Sequence, residues 1–163
     1  MAAPASALIG KSCVFEAMAE NPAVTALADL ATDAKFDRNE LTVTVARENI
    51  VAACEAVKAA GYNFFEDVTA VDWYAQEPRF QLSYHIVSHS LKQRLRLRVL
   101  VDSSDAGIPS ITPAWPAANF YEREVFDLFG IDFSGHPGLT RIMMPEDWQG
   151  HPLRKDYPVE GYR

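Results

Sequence analysis

Two runs of strict alternation constrain this chain more than any other feature. Phe80, Leu82, Tyr84 and Ile86 alternate with Gln81, Ser83 and His85, and Leu95, Leu97 and Val99 alternate with Arg94, Arg96 and Arg98. Side chains on a strand point to opposite faces with a period of two, so each run carries one apolar and one polar face. The polar stretch from Ser88 to Gln93 joins them, which predicts an antiparallel pair buried on one side and wet on the other. Such a sheet requires a second layer over its apolar face.

Residues upstream and downstream supply that layer. Leu41-Thr-Val-Thr-Val45 alternates as another strand, and Phe64 to Trp73, rich in aromatic and β-branched residues, reads as a further one, with Pro78 in the turn that follows. Between them Ile50, Ala53, Cys54, Val57 and Ala60 recur at helical spacing, and Gly61 stands where a left-handed cap is wanted. After a loop at 103–109, Tyr121, Val125, Leu128 and Phe129 mark a second amphipathic helix that Gly130 stops. The order predicts an α+β fold: a small, mostly antiparallel sheet with helices on one face, over residues 1–130. Residues 1–40, Ala-rich and with Pro22 placed early in a helix after Asn21, read as a helical N-terminal extension of that domain.

From Ile131 to Arg163 neither period persists, and Pro137, Pro145, Pro152 and Pro158 interrupt any helix or central strand. The segment still carries Leu139, Ile142, Met143, Met144, Trp148, Leu153 and Tyr157, too apolar for a solvated tail. It reads as a long, irregular, Pro-rich C-terminal arm, 131–163, that binds a partner.

Composition removes several function classes. A formal net charge of −7 repels phosphate backbones, which argues against nucleic acid. No stretch approaches the roughly 20 apolar residues of a spanning helix, so membrane contact is expected only through partners. The start, Met1 to Gly10, lacks a basic leader and is not expected to be a secretory signal. Cys13 and Cys54 are far apart and no Cys-x-x-Cys occurs, which leaves no ordinary zinc or iron–sulfur framework and favours reduced, packed thiols over a disulfide.

Candidate chemistry is sparse. Glu122, Arg123, Glu124 and Asp127 share one helix; paired carboxylates there could act as acid and base, but the i, i+3 and i, i+4 spacings favour an ion-paired face. His136 and His151 lie in two copies of Gly-His-Pro, which read as tight turns with locally bonded imidazoles in preference to metal ligands. Arg94, Arg96 and Arg98 form a basic stripe, either a solvated sheet face or a dock for an acidic partner. No Gly-rich phosphate loop, nucleophile elbow or nucleotide fingerprint is present.

Two longer motifs carry more information. Tyr121-Glu-Arg-Glu-Val-Phe-Asp-Leu-Phe-Gly-Ile-Asp-Phe-Ser-Gly-His-Pro137 resembles the signature of the 30 kDa subunit family of respiratory complex I, the NADH-quinone oxidoreductase also called NDH-1. Arg141-Ile-Met-Met-Pro-Glu-Asp-Trp-Gln-Gly-His-Pro-Leu-Arg-Lys-Asp-Tyr-Pro158 is similar to the closing segment of the same family, with Gly138 and Thr140 departing from its usual residues. The resemblance implies a non-catalytic scaffold and assembly subunit in the peripheral arm of a proton-translocating NADH:quinone oxidoreductase. That complex passes electrons from NADH through FMN and iron–sulfur centres to quinone. No cofactor is expected on this chain. Implied neighbours are the large hydrogenase-like subunit, designated D, and the terminal-cluster subunit, designated B, on the cytoplasmic side of the cell (inner) membrane or the matrix side of an organelle. Under this reading Met143, Met144, Trp148 and Leu153 are interface anchors and Arg141, Arg154 and Lys155 form interfacial ion pairs, with Asp156, His136 and His151 in the shared motif. Two other readings are an equivalent subunit of a membrane-bound hydrogenase or an F420- or ferredoxin-dependent oxidoreductase, and a free-standing acid/base enzyme using Glu122, Glu124 or Asp127.

Overall fold

The computed structural model describes residues 7–161, so the first six residues of the expected extension and the last two of the arm lie outside the described residues. Six strands form one sheet: β1 (Leu8–Ile9), β2 (Ala31–Asp37), β3 (Glu40–Val45), β4 (Phe64–Asp72), β5 (Phe80–Ser88) and β6 (Gln93–Val101), in the spatial order β1-β2-β3-β6-β5-β4. The two alternating runs are β5 and β6, paired antiparallel from Phe80↔Val101 to Ser88↔Gln93. β3 joins β6 in parallel, Leu41↔Leu95 through Thr44↔Arg98, while every other neighbour in this sheet is antiparallel. The structure is therefore α+β, as the alternation requires.

Period two decides what lies inside. Leu41, Val43 and Val45 of β3, Leu82, Tyr84 and Ile86 of β5, and Leu95, Leu97 and Val99 of β6 are all buried, and helices α3 (Ile50–Ala59) and α4 (Ala118–Phe129) add Ile50, Ala53, Cys54, Val57, Val125 and Phe129 to the same core. Burying a side chain of this size contributes about 1.5–3 kcal/mol, which makes the sheet–helix seam the main source of stability.

Residues 7–40, the described part of the expected extension, are not helical alone. Short helices α1 (Lys11–Ala17) and α2 (Pro22–Ala26) are present, and Asn21 caps α2 by accepting from the Ala23 amide at 2.9 Å. The same stretch also supplies β1 and β2. Arg38 and Asn39, both at positive φ, make the two-residue turn that folds β2 back on β3. The strand is obscured in sequence because two of its three inward residues, Ala31, Ala34 and Phe36, are small and a bulge near Asp33 throws them out of step.

The change of character at 131 is also later than its composition suggests. Strand β8 (Asp132–Ser134) pairs in parallel with β7 (Gly107–Pro109), inside the stretch expected to be only a loop, and Ile108, Ile131 and Phe133 are buried. On the far side of the main sheet the arginine stripe is neutralised within the chain. Arg94 meets Glu66 at 2.6 Å, Arg96 meets Glu40 at 2.6 Å, and Arg98 meets Asp33 at 3.4 Å. Arg96 Nε also donates to His85 Nε2 at 2.9 Å, which leaves His85 Nδ1 to donate to Asp67 at 2.5 Å.

Candidate partner interface

An α-helix ends with carbonyls that have no partner inside it, and the negative end of its dipole attracts cations. In α4 the chain that follows satisfies both demands. Gly130, at φ 68°, turns the backbone left-handed and donates its amide to Phe126 O. His151 Nδ1 then donates to Asp127 O at 2.9 Å, the Leu153 amide to Leu128 O at 3.0 Å, and Arg154 Nε to Phe129 O at 2.5 Å. The C-terminal arm is thus the helix's cap. Arg154 also lies 5.3 Å over the Phe80 ring, and a Cβ on Gly130 would meet the His151 ring at 2.5 Å.

Asp127 fixes the arm's middle. Its side chain is fully buried and accepts the amides of Ile142, Met143 and Met144 on Oδ2 at 2.8–3.0 Å, while Arg141 donates to Oδ1 at 2.5 Å. Burial alone pushes this carboxyl's pKa up, but the three amides and Arg141 together outweigh it and hold the group below the usual carboxylate range. Arg123 donates to the Thr140 and Arg141 carbonyls at 3.1 and 3.0 Å, so it serves the arm and not Asp127. The ion-paired helix face expected from spacing is therefore corrected: Asp127 and Arg123 each take partners from the arm, distant in sequence.

A second anchor holds the arm's end. The buried Asp72, last residue of β4, accepts Arg79 Nε and Nη2 at 2.9 and 2.8 Å and the Lys155 amide at 2.8 Å. Arg79 reaches on to both oxygens of Asp156 at 3.0 and 2.7 Å. The Arg79 guanidinium holds the Asp72 carboxyl far below its ordinary value. Arg141 and Arg154, expected with Lys155 to form interfacial ion pairs, instead bond within the chain, Arg141 to Asp127 and Arg154 to the Phe129 and Gly130 carbonyls. Lys155 contributes its amide and leaves its side chain exposed.

Glu122 is buried on the opposite side of α4, where Ser110 Oγ donates to Oε2 at 2.6 Å and the Ile111 amide to Oε1 at 2.8 Å. Burial pushes its pKa up despite those bonds. His136 donates from Nε2 to Asn119 O and accepts the Gly138 amide on Nδ1, which fixes its tautomer. Glu122 and Asp127 keep separate partner sets, and Glu124 is exposed. The three carboxylates do not converge on one centre.

What the clasped arm leaves outward includes large apolar side chains. Ile142, Met143, Trp148 and Leu153 are 40%, 61%, 38% and 49% exposed, whereas Met144 is half-buried. Among the described residues, no group of three or more His, Cys, Asp or Glu side chains could hold a metal ion, and no helix is long and apolar enough to cross a membrane. Cys54 is buried and burial pushes its thiol pKa up, while Cys13, expected to be packed, is exposed; neither suits a cluster ligand set.

Residues 43–163 match the family described as respiratory-chain NADH dehydrogenase, 30 Kd subunit. A relative from Citrifermentans bemidjiense, the NADH-quinone oxidoreductase subunit designated C, is 47% identical over 150 residues, covering 88% of this chain and 93% of its own. The Geobacter sulfurreducens protein of the same name is 50% identical over 131 residues, 79% of this chain and 81% of its own. Among solved structures, a trypsin-resistant fragment (1–134) of Nqo5 superposes with a TM-score of 0.58 at 38% identity, over 61% of this chain and 83% of that one. A chain of a membrane-bound sulfane sulfur reductase, an archaeal respiratory membrane complex, superposes with a TM-score of 0.75 at 27% identity, over 86% of each. The higher identities lie with the NADH-quinone oxidoreductase relatives, so membership of a related membrane-bound complex is not favoured.

Proposed function

Because the chain belongs to the 30 kDa subunit family of respiratory-chain NADH dehydrogenases, we propose that it is a scaffold and assembly subunit of a proton-translocating NADH:quinone oxidoreductase. In this reading it performs no redox step. FMN, iron–sulfur clusters and quinone belong to other chains, and this one lies in the peripheral arm on the cytoplasmic, or matrix, side. Its neighbours are the large hydrogenase-like subunit and the subunit that carries the terminal cluster.

One observation carries the reading. Arg141, Arg154, Asp156 and several of the arm's backbone amides are bonded to α4, Asp72 and Arg79, while Ile142, Met143, Trp148 and Leu153 are held outward. Water gains nothing from such an arrangement. An apolar surface on a rigid backbone binds a partner without the ordering cost of a loose tail, and aromatic anchors of this kind dominate interface energy. His136, His151, Arg154 and Asp156 act here by fixing that surface from within.

The test is Trp148→Ala combined with Leu153→Ala in a tagged chain recovered from mild-detergent-solubilised membranes. The expected result is loss of co-recovered subunits and of NADH:quinone reductase activity from the eluate, with the isolated chain's denaturation midpoint little changed. Full recovery of both would sink the arm as the interface.

A further inference from the structure

Among the described residues β4 is the last strand of the sheet, and its outer side does not face another strand. Instead a groove of about 260 Å³ runs between that edge and α4. Its strand wall is Asp67 through Ala70. Its helix wall is Tyr121, Glu124, Val125 and Leu128, one stripe at helical spacing, and Leu153 of the arm closes one end.

Three properties of this groove point to one kind of occupant. Along an edge strand, alternate residues turn both amide and carbonyl away from the paired neighbour, and among the described residues the backbone of Asp67–Ala70 bonds to β5 alone. The floor is apolar, made by Val68, Ala70, Val125 and Leu128. Its one charged side chain on the helix wall is a carboxylate. Among the described residues Glu124 has no partner and no Lys, Arg or His lines the groove, while Asp67 lends only its backbone, its side chain turning to the opposite face of the sheet to meet His85.

We propose that this groove receives an extended segment of a partner subunit. The segment adds its backbone to the open edge of β4, lays an apolar side chain over the groove's floor, and sets a Lys or Arg against Glu124. This rests on the scaffold reading and locates a second contact distinct from the arm's outward face; Leu153, held by its amide to Leu128 O at 3.0 Å, belongs to both.

The test compares amide hydrogen exchange over residues 66–71 in the isolated chain and in the complex purified from native membranes, with Glu124→Lys as the variant. Expected is a slowing of exchange by about tenfold or more in the complex. Glu124→Lys, which alters an exposed residue without an internal bond, lowers recovery of partner subunits by roughly tenfold, most at low ionic strength. Equal exchange in both states overturns the groove proposal, and if Trp148→Ala/Leu153→Ala still abolishes recovery, the arm reading survives it. Slowed exchange with normal assembly of that double variant supports the groove and overturns the arm instead. Slowed exchange with no response to Glu124→Lys overturns the basic occupant.

Discussion

Neighbouring carboxylates on α4 behave differently because of what each one faces. Asp127→Ala would strip the acceptor from three amides and leave Arg141, only 16% exposed, without its partner, so we expect a loss of about 3–5 kcal/mol in urea denaturation. Glu124→Ala, on the exposed face, should change stability by less than about 0.5 kcal/mol. Glu122 has the opposite sign of pH dependence from Asp127. Its raised folded-state pKa means that its contribution is complete below the unfolded value and is lost as pH rises through the folded one. Wild type should therefore lose stability relative to Glu122→Gln as pH rises above the ordinary carboxylate range, read from urea midpoints. Asp127, depressed, gives its full contribution above the unfolded value near 4 and loses it as pH falls through the folded one. Little of this is legible in the sequence. Helical spacing reports neighbours on one helix, whereas the partners of Glu122 and Asp127 come from Ser110, Ile111 and residues 141–144.

Elements with strong periodicity are readable in the chain itself: β3, α3, β5, β6 and α4 each repeat an apolar step long enough to identify, and β4 is marked by its aromatic and β-branched composition. β1 is two residues long, a bulge breaks the step of β2 between Ala31 and Ala34, and β7 and β8 are three residues each, so no sustained period exists to find. The C-terminal end of α4 is where element and arm depend on each other. Gly130→Ala places a side chain at φ 68° and drives it into His151 and Arg154, so we expect about 1–3 kcal/mol of destabilisation. Because Arg154 would be displaced from Phe129 O and Phe80, limited trypsin digestion should cut the variant at Arg154 and Lys155 well before the wild type.

At the scale of the molecule, the sequence conveyed the arm's destination only in part. Its apolar content announces that it must lie against something, and the structure lays its polar groups on the chain's own α4 and β4 while turning Trp148 and Leu153 outward. Loss of assembly without loss of fold in the Trp148→Ala/Leu153→Ala variant is the expectation that belongs to this scale. The parallel seam between β3 and β6 has a different kind of consequence. Thr44 and Arg98 meet across it although 54 residues separate them, and the strands between are made in the order β4, β5, β6. During synthesis the N-terminal hairpin therefore leaves the ribosome with its future neighbour unmade, and β6 must emerge before the sheet can close. A nascent chain exposes the apolar edge of β3 for the time needed to translate about a third of the protein, and the clasp on α4 forms later still. Through that window a chaperone competes with aggregation.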